Sequence, residues 1–278
     1  MLNIGFMQGR LSDMVGGRIQ SFPFSNWENE FMIGSENNFN IIEWTIDSID
    51  ILNNPILRDD LHTKIIELKK KYSVEIPSIT CDFFMEKPFF KASSDQKLQR
   101  EEFLLSFFEK CSNLNILKIV IPLVDNGRIE SLAHEKSVLD FFLNHIDILE
   151  KGNLEIIFES DFAPRRLKKF IDKFPAKFFG INYDTGNSAS HGYNFLEEFD
   201  SYFNNIKNVH IKDRILNGST VPLGDGNANL EKLLINLLNN NYSGNLILQT
   251  ARDKKKHLEV LCDYRNYVLN ILSNYEKK

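Results

Sequence analysis

The chain has 278 residues, with 33 Lys+Arg against 38 Asp+Glu, a formal net charge of −5, and 42% hydrophobic and 26% charged residues. That balance is globular and excludes a disordered, collagenous or coiled-coil chain. The acidic balance argues against a general nucleic-acid binder, and no apolar run approaches the ~18 residues of a membrane helix, so neither partner is expected.

The elements alternate along the chain. A short β-rich run at residues 3–7 is followed by the least regular helix pattern, from Trp27 to Asn37. Runs at 41–45 and 75–80 flank a helix over 57–72, whose apolar residues Leu61, Ile65 and Leu68 are spaced four and three. A helix over 96–113, carrying Phe103, Phe107 and Cys111, precedes the run at 117–121, and a helix over 131–151 precedes the run at 154–158. Runs at 179–183, 208–211 and 245–248 follow, with shorter helices after Ala163, Tyr193 and Asn229 and a long one over 255–275. Eight strands alternating with helices in this length predict an α/β fold, a (β/α)8 TIM barrel of one domain over residues 1–278. An open doubly wound sheet is the alternative. It would usually carry a glycine-rich phosphate loop after the first strand, where this chain has Gln8-Gly9-Arg10-Leu11.

The N-terminus lacks a basic segment followed by a long apolar one, so no secretory signal is expected. Cys81, Cys111 and Cys262 are odd in number and widely spaced, which suits a reducing, cytoplasmic setting.

In a barrel, chemistry sits at the C-terminal ends of the strands, and side chains alternate faces along each strand. Strands five to eight end in Glu159, Asp184, His210 and Gln249. The alternation turns Glu159, His210 and Gln249 to the axis while Phe158, Val209, Ile211 and Leu248 face the helices. Two carboxylates, an imidazole and an amide carbonyl suit a divalent ion such as Mn2+, Mg2+, Co2+ or Zn2+. Taken singly, each residue reads as an ordinary polar strand end; four in phase on consecutive strands point to a metal site.

With those stretches in view, the sequence resembles the xylose-isomerase-like barrels, a group of sugar and sugar-phosphate isomerases and epimerases, inosose dehydratases and endonuclease IV. The resemblance rests on Phe158-Glu159-Ser160, Asp184-Thr185-Gly186-Asn187, Val209-His210-Ile211-Lys212-Asp213 and Leu223-Gly224-Asp225-Gly226-Asn227. Ile42-Glu43-Trp44, Cys81-Asp82-Phe83-Phe84 and Ile121-Pro122-Leu123 add to it. It implies metal ligands at Glu159, Asp184 and His210, with Glu159 also moving a proton. The family's fourth ligand is a glutamate where this chain has Gln249. An amide cannot act as a general base, which puts two-base epimerisation in doubt, although its carbonyl can still bind a cation. Glu43, facing inward on strand two, is read either as a second acid/base or as a salt-bridged carboxylate.

Arg10, Arg128, Arg165, Arg166, Lys212, Arg214 and Arg252 all fall near the catalytic end, which suggests an anionic carbohydrate such as a sugar phosphate. Lys212, Arg214, Arg252, Arg10, His191 and Asn187 are the candidate substrate contacts. The turn Gly224-Asp225-Gly226-Asn227 is either a backbone phosphate cradle or a plain loop–helix junction. Most aromatics are expected in the core, with Phe6, Trp27, Trp44, Phe83 and Phe84 as alternatives for a sugar-facing wall. The leading functional expectation is a metal-dependent isomerase or epimerase of a small sugar or sugar phosphate. A dehydratase of the same barrel and a non-catalytic sugar-binding relative are the alternatives, and a homo-oligomer is left open.

Overall fold

All eight expected runs pair side by side. A computed structural model describes residues 2–276 and contains β1 (Ile4–Met7), β2 (Ile41–Ile46), β3 (Glu75–Cys81), β4 (Lys118–Leu123), β5 (Glu155–Ser160), β6 (Phe179–Asp184), β7 (Ile206–Ile211) and β8 (Leu246–Leu248). Each is parallel to its neighbours. β8 pairs back on β1 through Ile4 with Leu246 and Phe6 with Leu248, which closes the barrel. The (β/α)8 expectation is correct.

The outer faces of the strands bury the apolar set that the alternation assigned to them. Ile156, Phe158, Val209, Ile211, Leu246 and Leu248 pack under the helices. Phe158 meets Phe170 and Phe174 with ring centroids 5.3 and 5.1 Å apart, and Phe174 meets Phe179 at 4.6 Å. Such pairs add roughly 0.5–1.5 kcal/mol each to plain burial, which explains much of the chain's use of phenylalanine. Phe6, Trp27 and Trp44 belong to this core as well. Met7, Ile41 and Ile247 form a small separate cluster of their own.

The long helices lie at Trp27–Glu36, Asp59–Tyr72, Ser94–Asn113, Leu132–Asn144 and His257–Glu276. The helix expected over 131–151 breaks in two. It stops at Asn144 and resumes as Ile146–Gly152, with His145 between them at φ −118° and its Nδ1 2.7 Å from the Phe141 carbonyl. A side chain that bonds the preceding turn competes with the backbone ladder there. No helix among the described residues is long and apolar enough to cross a membrane.

Candidate metal and acid–base site

The C-terminal ends of the strands hold one polar constellation. His210, fully buried on β7, directs Nδ1 toward Glu159 Oε2 at 3.3 Å and Asp184 Oδ2 at 4.0 Å. One ligand atom from each of the three lies within 4.8 Å of the others. Ligands bound about 2.1 Å from a shared ion stand roughly 3–4 Å apart, so this donor set fits a divalent cation. Gln249 on the neighbouring strand adds a buried Oε1 with no hydrogen-bond partner, an orphaned acceptor of the kind an ion satisfies.

The polar layer around these groups fixes their positions. Glu159 Oε2 accepts from Asn182 Nδ2 at 2.9 Å and Oε1 from Asn187 Nδ2 at 2.6 Å. Asp184 caps the helix Thr185–His191 by accepting from the Asn187 N–H at 2.8 Å, and its Oδ2 accepts from Lys212 Nζ at 2.8 Å. Gly186 makes that reach possible, because a Cβ there would sit 2.6 Å from Lys212 Cγ. Burial pushes the Asp184 pKa up, but Lys212 and His210 outweigh it and hold the carboxyl below its ordinary value.

Glu43 lies beneath this layer and does not line the cavity above it. Its carboxylate accepts from Ser78 Oγ (2.6 Å), Thr80 Oγ1 (2.7 Å) and Asn208 Nδ2 (2.8 Å), and Oε1 stands 2.6 Å from His210 Nε2. Of its two sequence readings, the paired carboxylate matches the geometry, and a contact with substrate does not. Burial lowers the His210 pKa, but Glu43 and Glu159 outweigh it and raise it to about 10. A divalent ion held at Nδ1 would therefore have to displace a proton.

A cavity of about 210 Å³ opens above the constellation, with walls that include Glu159, Gln249, Asn187, Arg10, Lys212 and Arg214. A larger groove of about 510 Å³ lies between the helices Ser94–Asn113 and Ile146–Gly152, and its walls carry none of the constellation. Of the candidate substrate contacts, Arg252 and His191 are not among the cavity residues. The Arg252 guanidinium donates to the carbonyls of Ser12 and Ile19, which ties down the loop after β1. His191 stacks on Tyr193 with ring centroids 5.3 Å apart. Arg128 pairs with Asp161, Arg165 with Glu197, and Arg166 lies over the Phe162 ring.

The cations that do face the cavity are largely committed. Lys212 is bonded to Asp184, Arg214 to the Gly218 carbonyl and Asn187 Oδ1, and Arg10 Nη1 to the Ile19 carbonyl and Gln20 Oε1. Of the two readings of the 224–227 turn, the plain loop–helix junction matches the geometry. The N–H groups of Arg214, Gly224, Gly226 and Ala228 all donate to the Asp213 carboxylate at 3.0–3.1 Å, which occupies the place a phosphate would take. A Cβ on Gly226 would lie 2.1 Å from Asp213 Oδ1, so only glycine fits there.

Sequence reasoning missed Asp82 as a site residue. It follows β3, is buried, and lines the cavity with Thr80. The signal was present: Ser78 and Thr80 point inward to Glu43, and a further step of two places Asp82 on the same side.

A closed (β/α)8 barrel with two carboxylates and an imidazole converging at the strand ends defines a class of barrels with a candidate metal site at that end. Within that class, the family model described as xylose isomerase-like TIM barrel matches residues 34–264, and the chain belongs to that family. None of the curated proteins matches the sequence. Among solved structures, a xylose isomerase domain protein from Planctomyces limnophilus is similar at TM-score 0.78 and 13% identity, covering 99% of each chain. L-ribulose 3-epimerase is similar at TM-score 0.75 and 12% identity, over 100% of this chain and 96% of its own. The IOLI protein, solved with a zinc atom, is similar at TM-score 0.74 and 16% identity, over 99% of each.

Proposed function

We propose that the protein is a metal-dependent isomerase or epimerase of a small, uncharged sugar, with Glu159 moving a proton on the carbon beside the sugar carbonyl. The observation that carries this reading is the convergence of Glu159, Asp184 and His210 within 4.8 Å, beside the orphaned Gln249 carbonyl. Glu159, Asp184, His210 and Gln249 would hold a divalent ion, whose Lewis acidity would make a hydrogen beside a carbonyl removable. Glu159 is held by Asn182 and Asn187, which sets the direction from which it takes the proton. Glu43 holds His210 through Nε2, which leaves Nδ1 as the ligand atom. Lys212 keeps Asp184 ionised.

Charge supports a free sugar over a phosphate. The cavity walls carry Arg10, Lys212 and Arg214 against Asp82, Glu86, Asp125 and Glu159, with Asp184 bonded to Lys212. The commitments of the arginines described above leave no free cluster for a phosphate, which supports a neutral substrate. The name of one structural relative, L-ribulose 3-epimerase, agrees with a free-sugar substrate.

The test is calorimetric titration of Mn2+ into chelator-treated protein, followed by NMR of a ketose panel in D2O with the Mn2+-loaded protein. Stoichiometric binding, with deuterium appearing beside the carbonyl of at least one ketose, is the expected result. The absence of both would reject the reading.

A further inference from the structure

Inverting a carbon beside a carbonyl requires a proton to leave one face and another to arrive on the opposite face. Glu159 serves one face, and the amide of Gln249 has no proton to exchange at working pH. The titratable side chains of the cavity narrow the choice for the second. Glu86 accepts from the Ser48 N–H at 2.8 Å and pairs with Arg18 at 3.2 Å, Asp125 is exposed, and Lys212 is bonded to Asp184. Asp82 alone is a buried carboxyl outside the proposed ligand set, with no ion-pair partner within 4.0 Å among the described residues.

Its placement suits the task. Asp82 directly follows β3 while Glu159 sits on β5, so β4 lies between them and the two strands stand roughly 10 Å apart. Both side chains line the same cavity, reached from strands on either side of β4. Thr45 Oγ1 donates to Asp82 Oδ2 at 3.2 Å and orients the carboxyl from the next strand.

We propose, resting on the isomerase/epimerase reading, that Asp82 is the second acid/base of the site and that the protein is a ketose epimerase. Glu159 takes the C–H proton, the C–H pair becomes the C=C bond of an enediolate, and the carbonyl π pair moves to oxygen. Protonated Asp82 then gives its proton to the opposite face of the carbon and the carbonyl re-forms. Glu159 ends protonated and Asp82 ionised, exchange with water resets both, and nothing is oxidised or reduced. In the metal-free protein, burial first, and then the nearby charges of Glu159 and Glu86, push the Asp82 pKa up to about 7.

The experiment uses the Mn2+-loaded protein in D2O with the epimer pairs D-fructose/D-psicose and D-tagatose/D-sorbose, followed by NMR at C3. In the parent, both epimers exchange and interconvert. Asp82→Asn should lower interconversion by about a hundredfold or more, while one epimer still exchanges its C3 hydrogen through Glu159 and Mn2+ affinity stays within about threefold. Glu159→Gln should stop exchange of that same epimer. Asp82→Glu should recover part of the interconversion, which a purely structural role would not give. Interconversion by Asp82→Asn within tenfold of the parent, or an equal loss of exchange and interconversion with unchanged Mn2+ affinity, overturns the proposal. A parent that binds Mn2+ but exchanges neither member of either pair overturns it together with the sugar-epimerase reading; a failure confined to the variants concerns Asp82 alone.

Discussion

His210 Nε2 and Glu43 Oε1 lie 2.6 Å apart in the fully buried centre of the barrel, linking β7 to β2 across its interior. The pair settles which imidazole nitrogen is available to the site. Replacing Glu43 with Gln weakens the hold on Nε2 and sets an amide against the Ser78, Thr80 and Asn208 donors. Divalent-ion affinity should fall by about ten- to a hundredfold. Calorimetry with Mn2+ measures it, and an unchanged affinity would show that Glu43 does not orient the ligand.

Gln249→Glu should act in the opposite direction. A second carbonyl-type oxygen is exchanged for a charged one beside Glu159 and Asp184, and Mn2+ binding should tighten by about tenfold, equivalent to ~1.4 kcal/mol. Unchanged or weaker binding in the variant would show that the Gln249 carbonyl does not face the ion.

Asp82 makes the metal-free protein's stability depend on pH. Its carboxyl ionises near 3.8 in the unfolded chain and at about 7 in the folded one. Between those values the native state holds the extra proton, so stability falls as pH rises and the full penalty is present above about pH 7. Asp82→Asn removes that slope. The variant should match the parent near pH 4 and exceed it at pH 8 by up to about 4 kcal/mol. Urea unfolding at both pH values, with chelator present, provides the check; a parent-like pH slope in the variant would contradict it.

Asp213 gathers four backbone N–H groups, and its removal leaves them without an acceptor. Asp213→Ala should cost about 2–4 kcal/mol by urea unfolding, with faster amide exchange at Gly224, Gly226 and Ala228. A loss under about 1 kcal/mol would mean that water replaces the carboxylate and the loop does not depend on it.

Much of this was legible before any coordinates. Two-residue alternation placed Glu159, His210 and Gln249 on the inside and the phenylalanines outside, because a strand's geometry is local. Asp82 obeyed the same count and was passed over because it opens a helical turn rather than ending a strand. The commitments of Arg252, Arg128 and Asp213 were not legible. Each depends on a partner between 11 and 240 residues away that only the folded chain brings near. Counting basic residues near strand ends therefore overstated the positive charge available to a ligand.

The hydrogen-bonded layer joining Glu43, Ser78, Thr80, Asn182, Asn208 and His210 also shapes how this sequence can drift. Each member serves at least one other, so a single replacement leaves a buried donor or acceptor unmatched, and neutral change must come through paired replacements. The phenylalanine shell outside carries no such directional bonds and can exchange one bulky residue for another singly. A deep mutational scan should therefore find single substitutions tolerated less in this polar layer than in the outer phenylalanine packing.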